Sequence, residues 1–196
     1  MRPRHGARRP ANVLVPGRAS GSVESGEKRL VEFKARYEDL GKARALLSGS
    51  EHAGTFHQTD TYFAVGERRL KIRTVRGRSE AQLVYYERPD EGGVKASDVH
   101  LAALPDGASV LEILRRAFPV LAEVRKTREM YRHQGVQIHL DAVEDLGRFI
   151  EFEKVLDDGT TEADGRAQLE ALRTYFQIPE EDAMASSYSD LVDGRP

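Results

Sequence analysis

The chain contains no cysteine, which removes disulfides, thiolate metal sites and cysteine nucleophiles at once and fits a reducing compartment. No apolar run approaches the roughly 20 residues of a membrane span, and "ANVLV" falls short of the about 7 to 15 residues of a signal-peptide core. Charge of one sign is missing too: 30 Lys and Arg stand against 32 Asp and Glu, so the global balance favours neither a nucleic-acid coat nor an acidic tail protein. The expectation is a soluble, cytoplasmic protein without a membrane or nucleic-acid partner. With 39% hydrophobic and 32% charged residues, the chain holds enough apolar material for a core. Its 196 residues suit one main domain.

Residues 1–28 are rich in Arg, Pro, Gly and Ser without an apolar period, and are expected to form a flexible tail. From Arg29 to the end a single domain is expected. There the period becomes two, and turn residues punctuate it. Eight strands are predicted within "LVEFKARY", "FHQTDTYFAV", "RRLKIRTV", "AQLVYYER", "VKASDVH", "EVRKTREMYRH", "VQIHLDAVE" and "RFIEFEKVL". Helical spacing marks "EDLGKARALLSG", "SVLEILRRAF" and "RAQLEALRTYFQ", and "PEEDAMASSYSDLV" opens with a proline suited to a first helical turn. The predicted class is α+β, an antiparallel sheet or barrel covered by helices.

Parity sorts the charges. In the first strand Glu32, Lys34 and Arg36 share a face. Lys71 and Arg73 share another, as do Lys126 and Arg128, then Gln137, His139 and Asp141, and finally Glu151 and Glu153. On any one strand such a face is ordinarily a solvated exterior. Taken together, however, the apolar faces are needed by the helices, so a closed barrel would leave the charged faces pointing at one another across a lumen. Neighbouring carboxylates suit a hard divalent cation such as Mg²⁺ or Mn²⁺. Facing lysines and arginines suit phosphate oxygens. A metal-bound polyphosphate satisfies both sets.

The motifs "VEFKAR", "DTYF", "LKIR", "YYERPD", "VRKTREMY", "IHLD", "DLGRFIEFE" and "SYSDLV", in this order from Arg29 to Val192, resemble the CYTH family, the triphosphate tunnel metalloenzymes that include class IV adenylyl cyclases and thiamine triphosphatases. The resemblance implies a closed eight-stranded antiparallel barrel, or tunnel, with helices packed outside. It also implies a Mg²⁺- or Mn²⁺-dependent enzyme acting on a nucleoside triphosphate or related phosphoanhydride, with conversion of ATP to cyclic AMP and pyrophosphate as the leading reaction. Triphosphate hydrolysis, processing of another organic diphosphate or triphosphate, and binding without turnover are the alternatives. The partner is thus a small-molecule triphosphate or diphosphate, and a homodimer is compatible.

By the same resemblance Glu32, Glu151 and Glu153 would hold the metal, with Asp141 as a further ligand or a positioning group. Lys34, Arg36, Lys71, Arg73, Arg88, Lys126 and Arg128 would meet phosphate, although Tyr85 and Glu87 compete with Tyr86 and Arg88 for the inward face. Lys95 is a further candidate. Lys34, Lys126 and Tyr62 are the catalytic candidates, Tyr62 as the group orienting a lysine or water, with core packing as its competing role. His139 and Tyr188 are assigned structural roles. The family signature E-x-E-x-K is met here only by Glu32 and Lys34; Leu30 stands at the first glutamate.

Overall fold

A computed structural model describes residues 25–66, 68–87 and 93–192. Eight strands run β1 (Gly26–Arg36), β2 (Glu51–Val65), β3 (Arg68–Val75), β4 (Ala81–Glu87), β5 (Lys95–Leu104), β6 (Val120–His133), β7 (Val136–Val143) and β8 (Gly147–Val155). They close into a barrel in the order β1-β5-β4-β3-β2-β6-β7-β8, and every neighbouring pair is antiparallel. Closure leaves no free edge and fixes which parity faces inward. The two-residue turn between β6 and β7 shows how local chemistry sets register. Gln134 and Gly135 both take positive φ, 50° and 76°, the conformation that matches strand twist in a tight hairpin.

The outward parity of the strands is apolar and carries the helices α1 (Leu40–Leu46), α2 (Gly107–Ala117) and α3 (Glu162–Tyr175). Val31, Phe33, Ile138, Leu140, Ile150 and Phe152 from β1, β7 and β8 form one buried cluster with Leu40 and Ala43 of α1 and Leu169 and Leu172 of α3. α3 begins at a capping box in which Thr161 and Asp164 satisfy each other's backbone N–H groups. It then lies so close to β1 that a Cβ on Gly165 would fall 2.8 Å from Val31 Cγ2. On the other side of the barrel, Val110, Leu111 and Leu114 of α2 cover Phe63, Ile72 and Ala81.

Two boundaries differ from those expected. β1 begins at Gly26, within the predicted tail, because Gly26, Glu27 and Lys28 pair with Leu101, His100 and Val99 of β5. The segment starting at Pro179 is not one helix. A 3-10 turn (Glu180–Asp182) gives way to extended chain, and only Tyr188–Val192 is helical, here α4. The wall of the barrel captures the intervening backbone: Ala183 bridges Ala35, Met184 N donates to Lys34 O, 2.9 Å, and Lys95 Nζ donates to Ala185 O, 2.7 Å. Those bonds override the helical preference of Glu, Ala and Met. No helix among the described residues is long and apolar enough to cross a membrane.

Candidate functional site

The inward parity encloses a cavity of about 180 Å³. One end is closed by the C-terminal segment, where Met184 and Tyr188 pack with Phe149, Tyr62, Val124 and Val143. Tyr188 is the structural link between this plug and the charged interior. Its ring lies 4.2 Å from Lys34 Nζ, and its hydroxyl donates to Asp141 Oδ2 at 2.9 Å. The α4 end is held by Asp190, which accepts from Ser187 N, 2.8 Å, and pairs with Arg69 at 3.3 Å.

Two buried ion networks occupy the interior. In the first, Asp60 of β2 is fully buried and receives Arg73 Nε at 2.7 Å and Nη2 at 2.8 Å, Lys71 Nζ at 3.1 Å and Lys126 Nζ at 3.2 Å. Register explains the convergence: Arg73 lies opposite Asp60 and Lys71 opposite Tyr62 across β2 and β3, while Lys126 faces Gln58 across β2 and β6. Burial pushes the Asp60 carboxyl up, but Arg73, Lys126 and Lys71 together hold it well below the usual range. Burial pushes Lys71 down to about 7 against the opposing pull of Asp60, and Arg73 and Lys126 lower it further. Lys126 falls to about 8 through burial and the neighbouring Arg128. Tyr62, 3% exposed, accepts from Lys71 Nζ at 3.3 Å.

In the second network Arg128 of β6 grips Asp141 of β7 through Nε and Nη2 at 2.8 and 2.6 Å and reaches Glu151 of β8 at 2.6 Å. Lys34 Nζ sits 2.9 Å from the other Glu151 oxygen. Burial raises the Glu151 carboxyl, yet Lys34 and Arg128 hold it well below the usual range. Beside it, His139, Glu151 and Glu153 bring one ligand atom each within 4.8 Å of one another. His139 Nδ1 is 3.3 Å from Glu151 and 3.6 Å from Glu153, and its buried Nε2 has no hydrogen-bond partner. An imidazole whose Nδ1 lies beside two carboxylates while its Nε2 has no protein partner is a donor set that fits a divalent cation.

The expected residues thus divide. Lys34, Lys71, Arg73, Lys126, Arg128, Tyr62, Glu32, Glu151 and Glu153 all line the cavity, and Glu32 pairs with Glu153 across β1 and β8. Arg36 does not line it. Its register partner is Phe149, its guanidinium lies 5.3 Å from that ring, and it donates to Leu146 O at 3.2 Å from an exposed position, so the plug separates it from the lumen. Asp141 lies inside but outside the His139, Glu151 and Glu153 group; with Arg128 and Tyr188 on its oxygens, the structure favours positioning over metal ligation. Lys95 is inward and buried, but serves the plug through Ala185. Arg88 lies outside the described residues.

The sequence alone does not single out Asp60, and it gives His139 a structural role. Parity carried a signal for both: Asp60 alternates with Gln58 and Tyr62, and His139 with Asp141. A single carboxylate on one strand does not reveal that two other strands deliver three cations to it.

Comparison with known proteins agrees with this architecture. The structure is similar to that of the PH1012 protein from Pyrococcus horikoshii OT3, with TM-score 0.74, 22% identity and coverage of 83% of this chain and 99% of that one. A conserved hypothetical protein from Pyrococcus furiosus gives TM-score 0.74 at 24% identity over 83% and 99% of the two chains. A "putative adenylate cyclase" from Vibrio parahaemolyticus gives 0.70 at 20% identity over 84% and 97%. A search of curated proteins finds no match. The CYTH domain model matches residues 28–188, nearly the whole barrel together with the start of its plug, and the chain therefore belongs to the CYTH domain family.

Proposed function

We propose that the chain is a divalent-metal-dependent enzyme that acts on a nucleoside triphosphate or a related phosphoanhydride inside the barrel. The observation that carries this reading is the facing of Lys34, Lys71, Arg73, Lys126 and Arg128 across one cavity that also holds His139, Glu151 and Glu153. His139, Glu151 and Glu153 would hold Mg²⁺ or Mn²⁺, with Glu32 alongside, and the bound cation would supply Lewis-acid stabilisation of charge on a phosphate oxygen. The lysines and arginines bind the nonbridging oxygens and offset the charge that builds there in the transition state. Arg128 is aligned for this by Asp141, and Asp141 by Tyr188.

Proton handling falls to Lys71 and Lys126. With values of about 7 and about 8, each can exchange a proton near neutral pH at Nζ. The Tyr62 hydroxyl, accepting from Lys71 Nζ, aims that ammonium, and Lys34 offers a third ammonium beside Glu151. Two courses use the same lining. Attack by water on the terminal phosphorus hydrolyses a triphosphate; attack by a ribose 3′-hydroxyl on the α-phosphorus gives cyclic AMP and pyrophosphate. The name borne by the Vibrio neighbour supports assaying the second course first, and the cytoplasm is the proposed setting.

Incubation with ATP, tripolyphosphate and thiamine triphosphate in Mg²⁺ or Mn²⁺ distinguishes the courses by release of pyrophosphate with cyclic AMP or of phosphate. Arg128→Ala and Glu153→Gln are expected to lower turnover by about 10²- to 10³-fold with unchanged far-UV circular dichroism. Unchanged activity in both variants would place those side chains outside the reacting site, and tight binding without any product would overturn the enzymatic reading.

A further inference from the structure

The wall of the cavity is not charged all the way round. Three strands adjacent in the barrel, β1, β5 and β4, turn Leu30, Val99, Leu101 and Val84 into it, with Tyr86 beside them. Register makes these a continuous patch: Leu101 lies opposite Val84 and Val99 opposite Tyr86, while Leu30 lies opposite Ser97 and two positions from Lys28, the partner of Val99. Leu30 interrupts the inward row Lys28, Glu32, Lys34 on β1, so this sector changes character within a single strand. The ion networks centre on the other sector, formed by β3, β2, β6, β7 and β8, and Lys34 of β1 joins them through Glu151.

Ser97 is a polar position on β5, the middle strand of this sector. Its hydroxyl oxygen is buried without a hydrogen-bond partner, directly across from Leu30. A lumen serving inorganic polyphosphate alone gains nothing from a patch of Leu and Val, because apolar surface facing a solvated anion is left in contact with water. A guest with an apolar part removes that surface from water while its phosphates meet the cations. Resting on the phosphate-binding reading above, we infer that the preferred guest is a diphosphate or triphosphate ester of an apolar alcohol, its hydrocarbon group held by Leu30, Val84, Val99 and Leu101.

The test is isothermal titration of the full chain in Mn²⁺ with methylenediphosphonate and its n-methyl, n-butyl and n-hexyl monoesters, whose P–C–P bridge resists hydrolysis. Affinity should climb by up to about fourfold for each methylene that becomes buried. Leu30→Gln and Leu101→Gln should flatten that climb while leaving the affinity for methylenediphosphonate itself within about threefold; Leu101 is only half-buried, so its substitution disturbs packing less than that of the buried Leu30. Affinity independent of chain length, or a climb unchanged in the folded variants, overturns the inference and leaves the phosphate site standing. Failure of methylenediphosphonate itself to bind would remove the phosphate site as well.

Discussion

Binding of a polyanion in the tunnel should draw protons from solution, and the amount follows from Lys71 and Lys126. At pH 8 a group with a value of about 7 is roughly one-tenth protonated, and one at about 8 roughly half. Negative charge placed among these amines favours the ammonium form and raises both values. If both become fully protonated, uptake is roughly 0.9 proton at Lys71 and 0.5 at Lys126, about 1.4 in all. At pH 6 both are already mostly charged, so uptake should shrink to roughly 0.1 proton. Cyclic trimetaphosphate is the suitable probe because it carries no weakly acidic proton of its own. Calorimetric titration at each pH in two buffers of different ionisation enthalpy gives the proton count directly. The same sign governs stability: with folded values below the ordinary 10.5, the unfolded chain binds more protons, so these lysines make the protein more stable as pH rises from about 7 towards 10. No buffer dependence at pH 8 would refute the reasoning, for it would mean that Asp60 fully offsets burial and that both amines are already ammonium.

Two variants probe the networks separately. Asp60→Asn removes the one carboxylate that Lys71, Arg73 and Lys126 share, leaving buried cations uncompensated; urea denaturation should show a loss of about 3–5 kcal/mol, partly restored by tripolyphosphate, and a wild-type midpoint would contradict the shared-carboxylate arrangement. Tyr188→Phe deletes the hydroxyl that donates to Asp141 and should cost about 1–3 kcal/mol, with a smaller loss of turnover than Arg128→Ala because the grip of Arg128 on Asp141 remains; equal losses of turnover would place the Tyr188 hydroxyl at the reacting atoms instead.

Strand alternation made the barrel legible because a period of two in eight successive segments, with three apolar helical stripes needing a partner, leaves few other closed arrangements. It also placed Lys34, Lys71, Lys126, Arg128, Glu151 and Glu153 on inward faces, which the cavity lining matches. Parity says which side of the wall a residue takes but not how far along the tunnel it lies. Arg36 shows the limit: it keeps the parity of Glu32 and Lys34, yet Phe149 and the plug stand between it and the lumen. The C-terminal segment shows another. Local preference in "PEEDAMASSYSDLV" favours helix, whereas hydrogen bonds to Lys34 and Lys95, about 90 to 150 residues away in sequence, draw part of it out straight. Such long-range bonds leave no periodic trace.

The pairing of charges also bears on how the tunnel would select a guest. Its cations are already matched from within: Asp60 serves Lys71, Arg73 and Lys126, and Asp141 and Glu151 serve Arg128 and Lys34. A phosphate entering such a network competes with carboxylates, so the number of cations overstates the pull on an anion. The balance is uneven, however. Three cations share the single charge of Asp60, and burial answers that excess by easing protons off Lys71 and Lys126. Around Arg128 the carboxylates match or exceed the cations, and there His139 and Glu153 add the donors suited to a metal. The two networks therefore ask for opposite charges, the Asp60 side for anionic oxygens and the Glu151 side for a divalent cation. A metal-bound phosphate chain spanning from one to the other supplies both, and neither a free anion nor a free cation does so alone.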